Sequence, residues 1–303
     1  MISILMTIYN EPLPWIKQAI DSTIKSAQFI DNQKIEMVIV LDNPGYSDII
    51  ELRSFLDTTR TAVPVLLIEN EKNLGIVESL NRALASAQGT YIARMDADDI
   101  SFENRLEKEW NFLNKNSLDM VAAQVSFIDE HESHLYSLEK YRDLLGRDLV
   151  KVEALTNVFW HPTWLMSRTV VDELNGYRNV PSAEDYDFVV RAIKSGFKLG
   201  LMGEVLLFKR VSSNNISEYD VLQQKKSARW VQKSLRRKYS ESDVNTVPRV
   251  SDDVKKDYLR MQIRYKRITS TKARFAYLLL HTWGISTLID IFKEKVAKKI
   301  LMR

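Results

Sequence analysis

The sequence predicts an α/β domain with a mostly parallel central sheet, followed by a basic helical region. Three observations lead to this prediction. Strand-like and helix-like segments alternate through the first 95 residues, apolar runs such as 36–41 lack polar alternation, and the charge changes sign along the chain. Such alternation is typical of βαβ units, and continuous apolar strands are typical of sheets that helices cover on both faces.

The first half of the chain switches repeatedly between strand and helix patterns. Segment 2–9 is rich in β-branched and apolar residues, segment 10–14 interrupts it, and apolar residues recur at helical spacing from Trp15. Segment 42–45 is a turn signal, and Gly89 is placed to end the third helix. We expect strands at 2–9, 36–41, 63–68 and 91–95, and helices at 15–27, 48–57 and 77–87. Ligands of such sheets bind at the carboxyl ends of the strands.

The pattern becomes mixed after residue 100. We expect helices at 104–115, 148–158 and 184–195, extended segments at 120–127, 163–167 and 197–208, and a polar, loop-rich stretch at 129–146. From about residue 219 the pattern is helical and basic. We therefore divide the chain into a first domain, 1–218, and a mainly helical C-terminal region, 219–303.

Composition excludes several classes of protein. The chain has 303 residues, enough to bury a sizeable core, and no cysteine. This excludes a disulfide scaffold, a cysteine nucleophile and thiolate metal sites. The sequence contains neither G-x-x-x-x-G-K-[ST] nor G-x-G-x-x-G, so P-loop and dinucleotide-binding functions lack support. The first residues show no basic segment of a secretory signal, so we expect a cytoplasmic protein.

The charge is distributed unevenly. Residues 221–303 carry 21 Lys and Arg against 7 Asp and Glu, whereas residues 1–220 carry 22 against 33. A basic region favours a polyanionic partner, unless it is simply a solvated lysine-rich helical region. The apolar stretch 275–292 is too short and interrupted to span a membrane, which leaves an interfacial helix or a packing or dimerisation helix. We expect a membrane surface as partner and no nucleic acid; a homo-oligomer stays open.

Three carboxylates follow the fourth predicted strand, in the segment Met95-Asp96-Ala97-Asp98-Asp99. Burying them without partners would be costly, so they must meet a cation, donors or water. In an extended segment Asp96 and Asp98 point to one side and Asp99 to the other. Two oxygen ligands on one side suit Mg²⁺ or Mn²⁺, which commonly completes its shell with phosphate. The alternative is an acidic turn in which Asp99 caps the next helix.

Five short motifs with polar side chains occur in a fixed order. They are the opening strand 4–11, Asp42, Asn73-Leu74-Gly75 with Asn81, Ala83 and Gly89 downstream, Asp96-Ala97-Asp98-Asp99, and Glu184-Asp185-Tyr186-Asp187. Over residues 1–215 these motifs resemble those of the family 2 glycosyltransferases. The resemblance implies the GT-A fold, whose Rossmann-like, mostly parallel sheet binds nucleotide-diphospho-sugars.

The resemblance also implies a reaction. It implies an inverting, metal-dependent transfer of one sugar from a nucleotide-diphosphate sugar, UDP-sugar above all, to a glycan or lipid-linked acceptor in surface polysaccharide biosynthesis. Asp98 would bind Mn²⁺ or Mg²⁺, with Asp96 on the metal or the ribose, and Asp185 would be the general base. Glu184 and Asp187 would raise the proton affinity of Asp185. The expected contacts to the nucleotide sugar are Thr7, Tyr9, Glu11, Asp42, Asn73, Arg94, Asp96 and Ala97.

Further side chains are candidates for contact with the acceptor or the diphosphate. They are Asp99, Trp160, His161, Glu184 and Arg210, with Lys209 and Trp164 as additional candidates. Each has a structural alternative: the tryptophans as core, the histidine as a turn residue, and Glu184-Asp185 as acids at a helix start.

Two other functions compete with sugar transfer. A sugar-nucleotide nucleotidyltransferase has a related sheet, but it usually carries a glycine-rich loop where this chain has segment 10–14, Asn-Glu-Pro-Leu-Pro. A non-catalytic protein that binds polyanions through its basic C-terminal region is the second alternative.

Overall fold

The computed structural model describes residues 1–30, 33–59, 63–135, 141–211, 220–235, 241–256, 258, 260 and 284–302. The strands are β1 (Ile2–Ile8), β2 (Ile35–Leu41), β3 (Val65–Glu69), β4 (Tyr91–Arg94), β5 (Ile100–Ser101), β6 (Met120–Ile128), β7 (Leu144–Leu145), β8 (Leu165–Ser167) and β9 (Leu199–Arg210). The α-helices are α1 (Leu13–Gln28), α2 (Ile49–Thr59), α3 (Ile76–Ser86), α4 (Arg105–Lys115), α5 (Gly146–Glu153), α6 (Arg168–Leu174), α7 (Glu184–Lys194), α8 (Val221–Ser234) and α9 (Gly284–Leu301). Two 3-10 helices cover His161–Thr163 and Glu241–Thr246.

The strands form one sheet in the order β3-β2-β1-β4-β8-β6-β9-β5, and β7 pairs with β9. The neighbours β3, β2, β1 and β4 are parallel, and so are β6 and β9. The short strand β8 runs antiparallel between β4 and β6, and β5 and β7 run antiparallel to β9. The predicted α/β architecture with a mostly parallel sheet is therefore confirmed.

The sheet separates two apolar cores. In β1, Ile4 and Met6 belong to the same buried cluster as Ile16 of α1, whereas Leu5 belongs to the cluster that contains Leu80 of α3. Every residue of β1 is buried. This explains why the strand shows no polar alternation, since helices cover both of its faces.

Two predicted elements have different bounds in the structure. The helix expected at 148–158 ends as α5 at Glu153, whose buried carboxylate accepts a hydrogen bond from the backbone N–H of Val158 across a turn (3.0 Å). The extended segment expected from residue 163 begins only at Leu165, because Pro162 lies in a 3-10 helix. The two-residue strands β5 and β7 are too short to leave a pattern in the sequence.

The C-terminal region packs partly on the first domain. Residues 275–283 of the apolar stretch lie outside the described residues, and the described part starts with α9. In α9, Ala297 and Leu301 are buried in the core shared with α3, whereas Phe292 is 68% exposed. Of the helices described, none combines the length and the apolarity needed to cross a bilayer.

Gly89 lies where β1 and the start of β4 approach each other closely. Ala87, in an extended conformation, ends α3, so the expectation that Gly89 caps this helix is wrong. A Cβ on Gly89 would lie 2.5 Å from Ser3 Oγ, 2.6 Å from Ser3 N and 2.7 Å from the Tyr91 carbonyl oxygen. Glycine is needed here because backbone atoms leave no room for a side chain.

Gly89→Ala is therefore expected to lower the free energy of unfolding by about 1–3 kcal/mol through overpacking. Chemical denaturation followed by circular dichroism measures this. Gly45→Ala is the control, because its Cβ would meet only Asn43 Oδ1 at 3.6 Å, an ordinary contact. Equal stability of the two variants would contradict the account.

Candidate active site

The carboxyl ends of β1, β2 and β4 meet at one edge of the sheet, because these strands are parallel neighbours. The motifs singled out in the sequence follow these strand ends. Edges of this kind are the usual ligand sites of open α/β sheets.

A cluster of acids lies at this edge. Carboxylate oxygens of Asp96, Asp98 and Asp99 all lie within 4.8 Å of one another. The expectation that Asp99 points away is wrong, because the chain turns at residues 97–98 rather than staying extended. Asp99 also does not cap α4, which Asn104 precedes; instead its Oδ1 accepts a hydrogen bond from the backbone N–H of Arg210 (2.9 Å).

Lys209, near the end of β9, supplies a cation to this cluster. Its Nζ lies 3.2 Å from Asp96 Oδ2 and 3.4 Å from Asp99 Oδ2. Burial opposes the ammonium charge, but the carboxylates outweigh it and raise the pKa of Lys209. Lys209 thus stays charged and offsets part of the negative charge.

The surroundings shift the pKa values of the three carboxyls in different directions. Burial alone would raise the pKa of Asp96, but Arg94, whose guanidinium nitrogen lies 2.8 Å away, and Lys209 lower it well below its ordinary range. Burial raises the pKa of Asp99, and Asp98 and Asp96 add to this effect against the charge of Lys209. Burial also raises the pKa of Asp98. The cluster therefore needs more positive charge to ionise fully.

Two buried arginines contact the acidic cluster. Arg94 is buried and donates hydrogen bonds to the Leu5 carbonyl (3.1 Å) and to Thr7 Oγ1 (3.3 Å). Arg210 is 1% exposed, and its Nε donates to the Asp98 carbonyl (3.0 Å) while its guanidinium lies over the Trp15 ring. Arg210 thus stabilises the backbone of the acidic loop at Asp98. A contact of its side chain with the diphosphate stays a prediction.

Asp42 organises the loop before α3. Its Oδ1 accepts hydrogen bonds from Leu74 N (2.8 Å) and Asn70 Nδ2 (2.6 Å), and its Oδ2 accepts one from Gly75 N (2.8 Å). Asn73 Oδ1 accepts a second bond from Gly75 N (2.9 Å). These contacts give Asp42 and Asn73 a structural role, and contact with a nucleotide base stays a prediction. The sequence pattern did not single out Asn70.

The end of β1 presents both buried and exposed side chains. Thr7 is buried, whereas Tyr9 is 40% exposed. Glu11 accepts a hydrogen bond from Tyr9 N (2.7 Å), and its backbone carbonyl accepts one from the Tyr46 hydroxyl (2.9 Å). Burial raises the pKa of Glu11, against the effect of this backbone hydrogen bond. Of these residues, Tyr9 offers the most accessible surface for stacking.

Two acids stand at the start of α7. Asn157 Nδ2 donates to Asp185 Oδ2 (3.0 Å), a contact that no sequence pattern indicates. Burial raises the pKa of Asp185, and the charge of Asp96 contributes in the same direction. Burial and then Asp185 raise the pKa of Glu184 to about 8. Asp185 therefore holds a proton more readily than a solvated aspartate does.

The remaining acid of this motif has another role. Asp187 is buried and accepts hydrogen bonds from Arg178 Nε (3.0 Å) and Arg191 Nε (2.9 Å). The expectation that its charge raises the proton affinity of Asp185 is not supported, because two arginines neutralise it. Asp187 instead ties α7 to the loop that precedes it.

Aromatic rings pack around His161. His161 Nε2 lies 2.8 Å from the Tyr177 hydroxyl, and burial followed by Arg94 lowers the pKa of His161 to about 3, so the ring is neutral at pH 7. Trp164 is fully buried in the core, so its interpretation as a sugar platform is wrong. Trp160 is half-buried and donates to Gln124 Oε1 (3.3 Å). Its interpretation as a platform stays open.

Glu184→Gln is expected to change the pH dependence of stability. Because the folded pKa of Glu184 is raised from 4.5 to about 8, the folded state holds a proton that the unfolded state loses in this range. The contribution of Glu184 to the free energy of unfolding of the wild type therefore falls as pH rises, by less than about 1.4 kcal/mol per pH unit. Glu184→Gln lacks this decrease, because glutamine does not titrate.

Urea denaturation between pH 4.5 and 8 measures the difference. The free energy of unfolding of Glu184→Gln, relative to that of the wild type, should increase as pH rises. That of the exposed control Glu103→Gln should show no such increase. A difference between Glu184→Gln and the wild type that is independent of pH would contradict the assignment.

Comparisons with known proteins place these features in a family. The sequence model described as glycosyl transferase family 2 matches residues 3–174. The chain is 31% identical over 221 residues to the uncharacterized glycosyltransferase MJ1057 of Methanocaldococcus jannaschii, covering 71% of this chain and 72% of that one. It is 26% identical over 220 residues to the amylovoran biosynthesis glycosyltransferase AmsE of Erwinia amylovora, covering 72% and 79%.

Solved structures agree on the fold. The mannosyltransferase PcManGT from Pyrobaculum calidifontis, in complex with GDP-Man and Mn²⁺, superimposes with a TM-score of 0.62 at 15% identity, covering 99% of this chain and 86% of that one. S. aureus TarS 1–349 in complex with UDP-GlcNAc gives a TM-score of 0.60 at 15% identity, covering 91% and 78%. The sheet is thus that of the GT-A fold, and the chain belongs to glycosyl transferase family 2.

Proposed function

We propose that this protein transfers one sugar, with inversion, from a UDP-sugar to a glycan or lipid-linked acceptor in surface polysaccharide biosynthesis. The observation that carries the proposal is the acidic cluster of Asp96, Asp98 and Asp99, which follows β4 at the carboxyl ends of the parallel strands. The family membership supports the reaction class. Relatives named for amylovoran and O-antigen biosynthesis, and one named for transfer from UDP-Gal to a diphosphoundecaprenol-linked sugar, support the pathway and the donor.

A divalent cation fits the acidic cluster by the chemistry of its donors. Three carboxylate oxygens within 4.8 Å are hard ligands of the type that Mg²⁺ and Mn²⁺ prefer. Asp98 and Asp96 would hold the ion, which supplies Lewis-acid stabilisation of the leaving diphosphate when bound. Because Lys209 pairs with Asp96 and Asp99, the ion would compete with this ammonium for Asp96. Once displaced, Lys209 would contact the diphosphate.

The donor would lie along the carboxyl edge of the sheet. In the proposal Tyr9 stacks on the base, Thr7 and Glu11 line its pocket, and Asp42 with Asn73 shapes the facing loop. Arg94 and Ala97 lie beside the sugar nucleotide. The hydrogen-bonded loop held by Asp42 supports this arrangement, since it fixes the edge of the pocket before any ligand binds.

Asp185 would act as the general base. The acceptor oxygen forms its bond to the anomeric carbon as the bond from that carbon to the diphosphate breaks, and the leaving group takes the electron pair. The acceptor proton passes to the Asp185 carboxylate. A raised pKa makes Asp185 a better proton acceptor, and the neutral His161 can offer a hydrogen bond without repelling Lys209.

The C-terminal region, 219–303, would hold the enzyme on the inner face of the cell membrane. Its excess of Lys and Arg favours an anionic surface. The exposed Phe292 and Ile289 of α9, which precede Lys295 and Lys299 on that helix, support an interfacial contact.

Calorimetry of UDP binding tests the proposed function. Wild type should bind UDP in the presence of Mn²⁺, and Asp98→Ala should weaken this binding at least about tenfold, because a ligand of the ion is lost. Asp185→Asn is the matched control and should retain UDP affinity, since the base does not contact the nucleotide. If UDP, GDP and dTDP all fail to bind the wild type with Mn²⁺, the proposal is wrong.

A further inference from the structure

A cavity of about 320 Å³ lies between the first domain and the C-terminal helices. Its volume is at the lower end of the range of small-molecule sites, about 300–1,000 Å³. Residues from both parts of the chain line it, among them Trp160, His161, Asp185, Gln224, Ala228 and Lys293. The proposed base therefore opens into a space that α8 and α9 help to enclose.

The wall formed by α8 is fixed to the first domain at three places. Asp220, just before α8, accepts a hydrogen bond from Ser182 Oγ (2.9 Å), close to the start of α7. Val231 is buried in a cluster with Tyr186, and Gln232 Nε2 donates to the Leu155 carbonyl (3.0 Å). These contacts hold the surface of α8 that faces Asp185 in a defined position.

The second helix of the wall is held by charge. Asp290 of α9 accepts hydrogen bonds from Arg229 of α8 at both carboxylate oxygens (3.0 Å each), and Lys225 Nζ lies 3.2 Å from the same carboxylate. Lys293 of α9 donates to Gln232 Oε1 (2.6 Å). The cations of the wall therefore have partners within the wall, which does not favour a strongly anionic ligand.

The cavity is separate from the proposed donor pocket. The acidic cluster, Asp42 and the end of β1 do not contribute to its lining among the described residues. It shares with the candidate active site Trp160, His161 and Asp185, the last being the group that accepts a proton from the acceptor hydroxyl in the proposed reaction. A ligand in this cavity would thus contact the base without entering the proposed donor pocket.

From this geometry we infer that the cavity binds the terminal sugar ring of the acceptor, and that α8 determines which acceptor is used. The inference rests on the proposed function. The side-chain amide of the exposed Gln224 lines the cavity and can both donate to and accept from the hydroxyl groups of an uncharged pyranose. The amides of Asn157 and Gln232, which also line the cavity, bind to protein groups. The half-buried Trp160 offers an indole surface for the apolar face of the ring. Both helices lie beyond residues 3–174, which the family model matches.

Saturation-transfer NMR with methyl glycosides of glucose, galactose, N-acetylglucosamine and mannose tests the inference, with UDP and the diamagnetic ion Mg²⁺ present. Ala228→Trp fills the cavity from α8, and Lys233→Trp places the same side chain at an exposed position of this helix as the control. Wild type and Lys233→Trp should transfer saturation to at least one glycoside, and Ala228→Trp should lose it. UDP affinity, measured by calorimetry, should be equal in all three proteins.

A second variant keeps the test decisive if Ala228→Trp does not fold. Gln224 is exposed, so Gln224→Leu should fold normally while weakening the glycoside signal severalfold. Absence of any glycoside signal in the wild type, or an unchanged signal in both cavity variants, would overturn the inference. The proposed function is tested separately, because it fails when no nucleotide binds to the wild type. Even in that case, a glycoside signal that the wild type gives and the cavity variants lose would show that the cavity binds the sugar.

Discussion

The ammonium of Lys209 among three carboxylates is the interaction on which the rest of the site depends. Buried carboxylates that lack a cation are costly, and here they come from a turn that follows β4. Lys209 reaches them because β9 pairs with β5 and β6, which brings together residues more than 100 positions apart. The sheet topology therefore determines which charges meet at this site. Arg94 pairs with Asp96, and Arg210 donates a hydrogen bond to the Asp98 carbonyl, so both arginines stabilise the acidic turn.

The candidate site also contains two acidic groups whose pKa values are shifted in opposite directions. Asp96 is held ionised by Arg94 and Lys209, whereas burial raises the pKa of Asp185. Two neighbouring groups with opposite shifts suit a site where one group keeps its charge to bind a cation and the other takes up a proton. Asn157, which follows the short α5, orients the Asp185 carboxylate through a hydrogen bond.

Much of the fold could be predicted from the sequence, because the first half carries clear helical and strand periodicities. The strands from β1 to β4 and the helices between them lie within a few residues of their predicted bounds. The motif residues at the strand ends were also found from local pattern and family resemblance. The orientation of Asp99, the contact of Lys209 and the hydrogen bond of Asn157 could not be predicted, since each depends on a turn or on strand pairing distant in sequence. The cavity beside α8 depends on tertiary packing in the same way.

Manganese binding without nucleotide tests the central claim most directly, that a divalent ion and Lys209 compete for the same carboxylates. Lys209→Met should bind Mn²⁺ about tenfold or more tightly than the wild type, measured by electron paramagnetic resonance, because it removes a positive charge next to the ligands. Lys108→Met, which removes a surface lysine paired with Glu204, should leave the affinity unchanged. Equal or weaker Mn²⁺ binding by Lys209→Met would contradict the account.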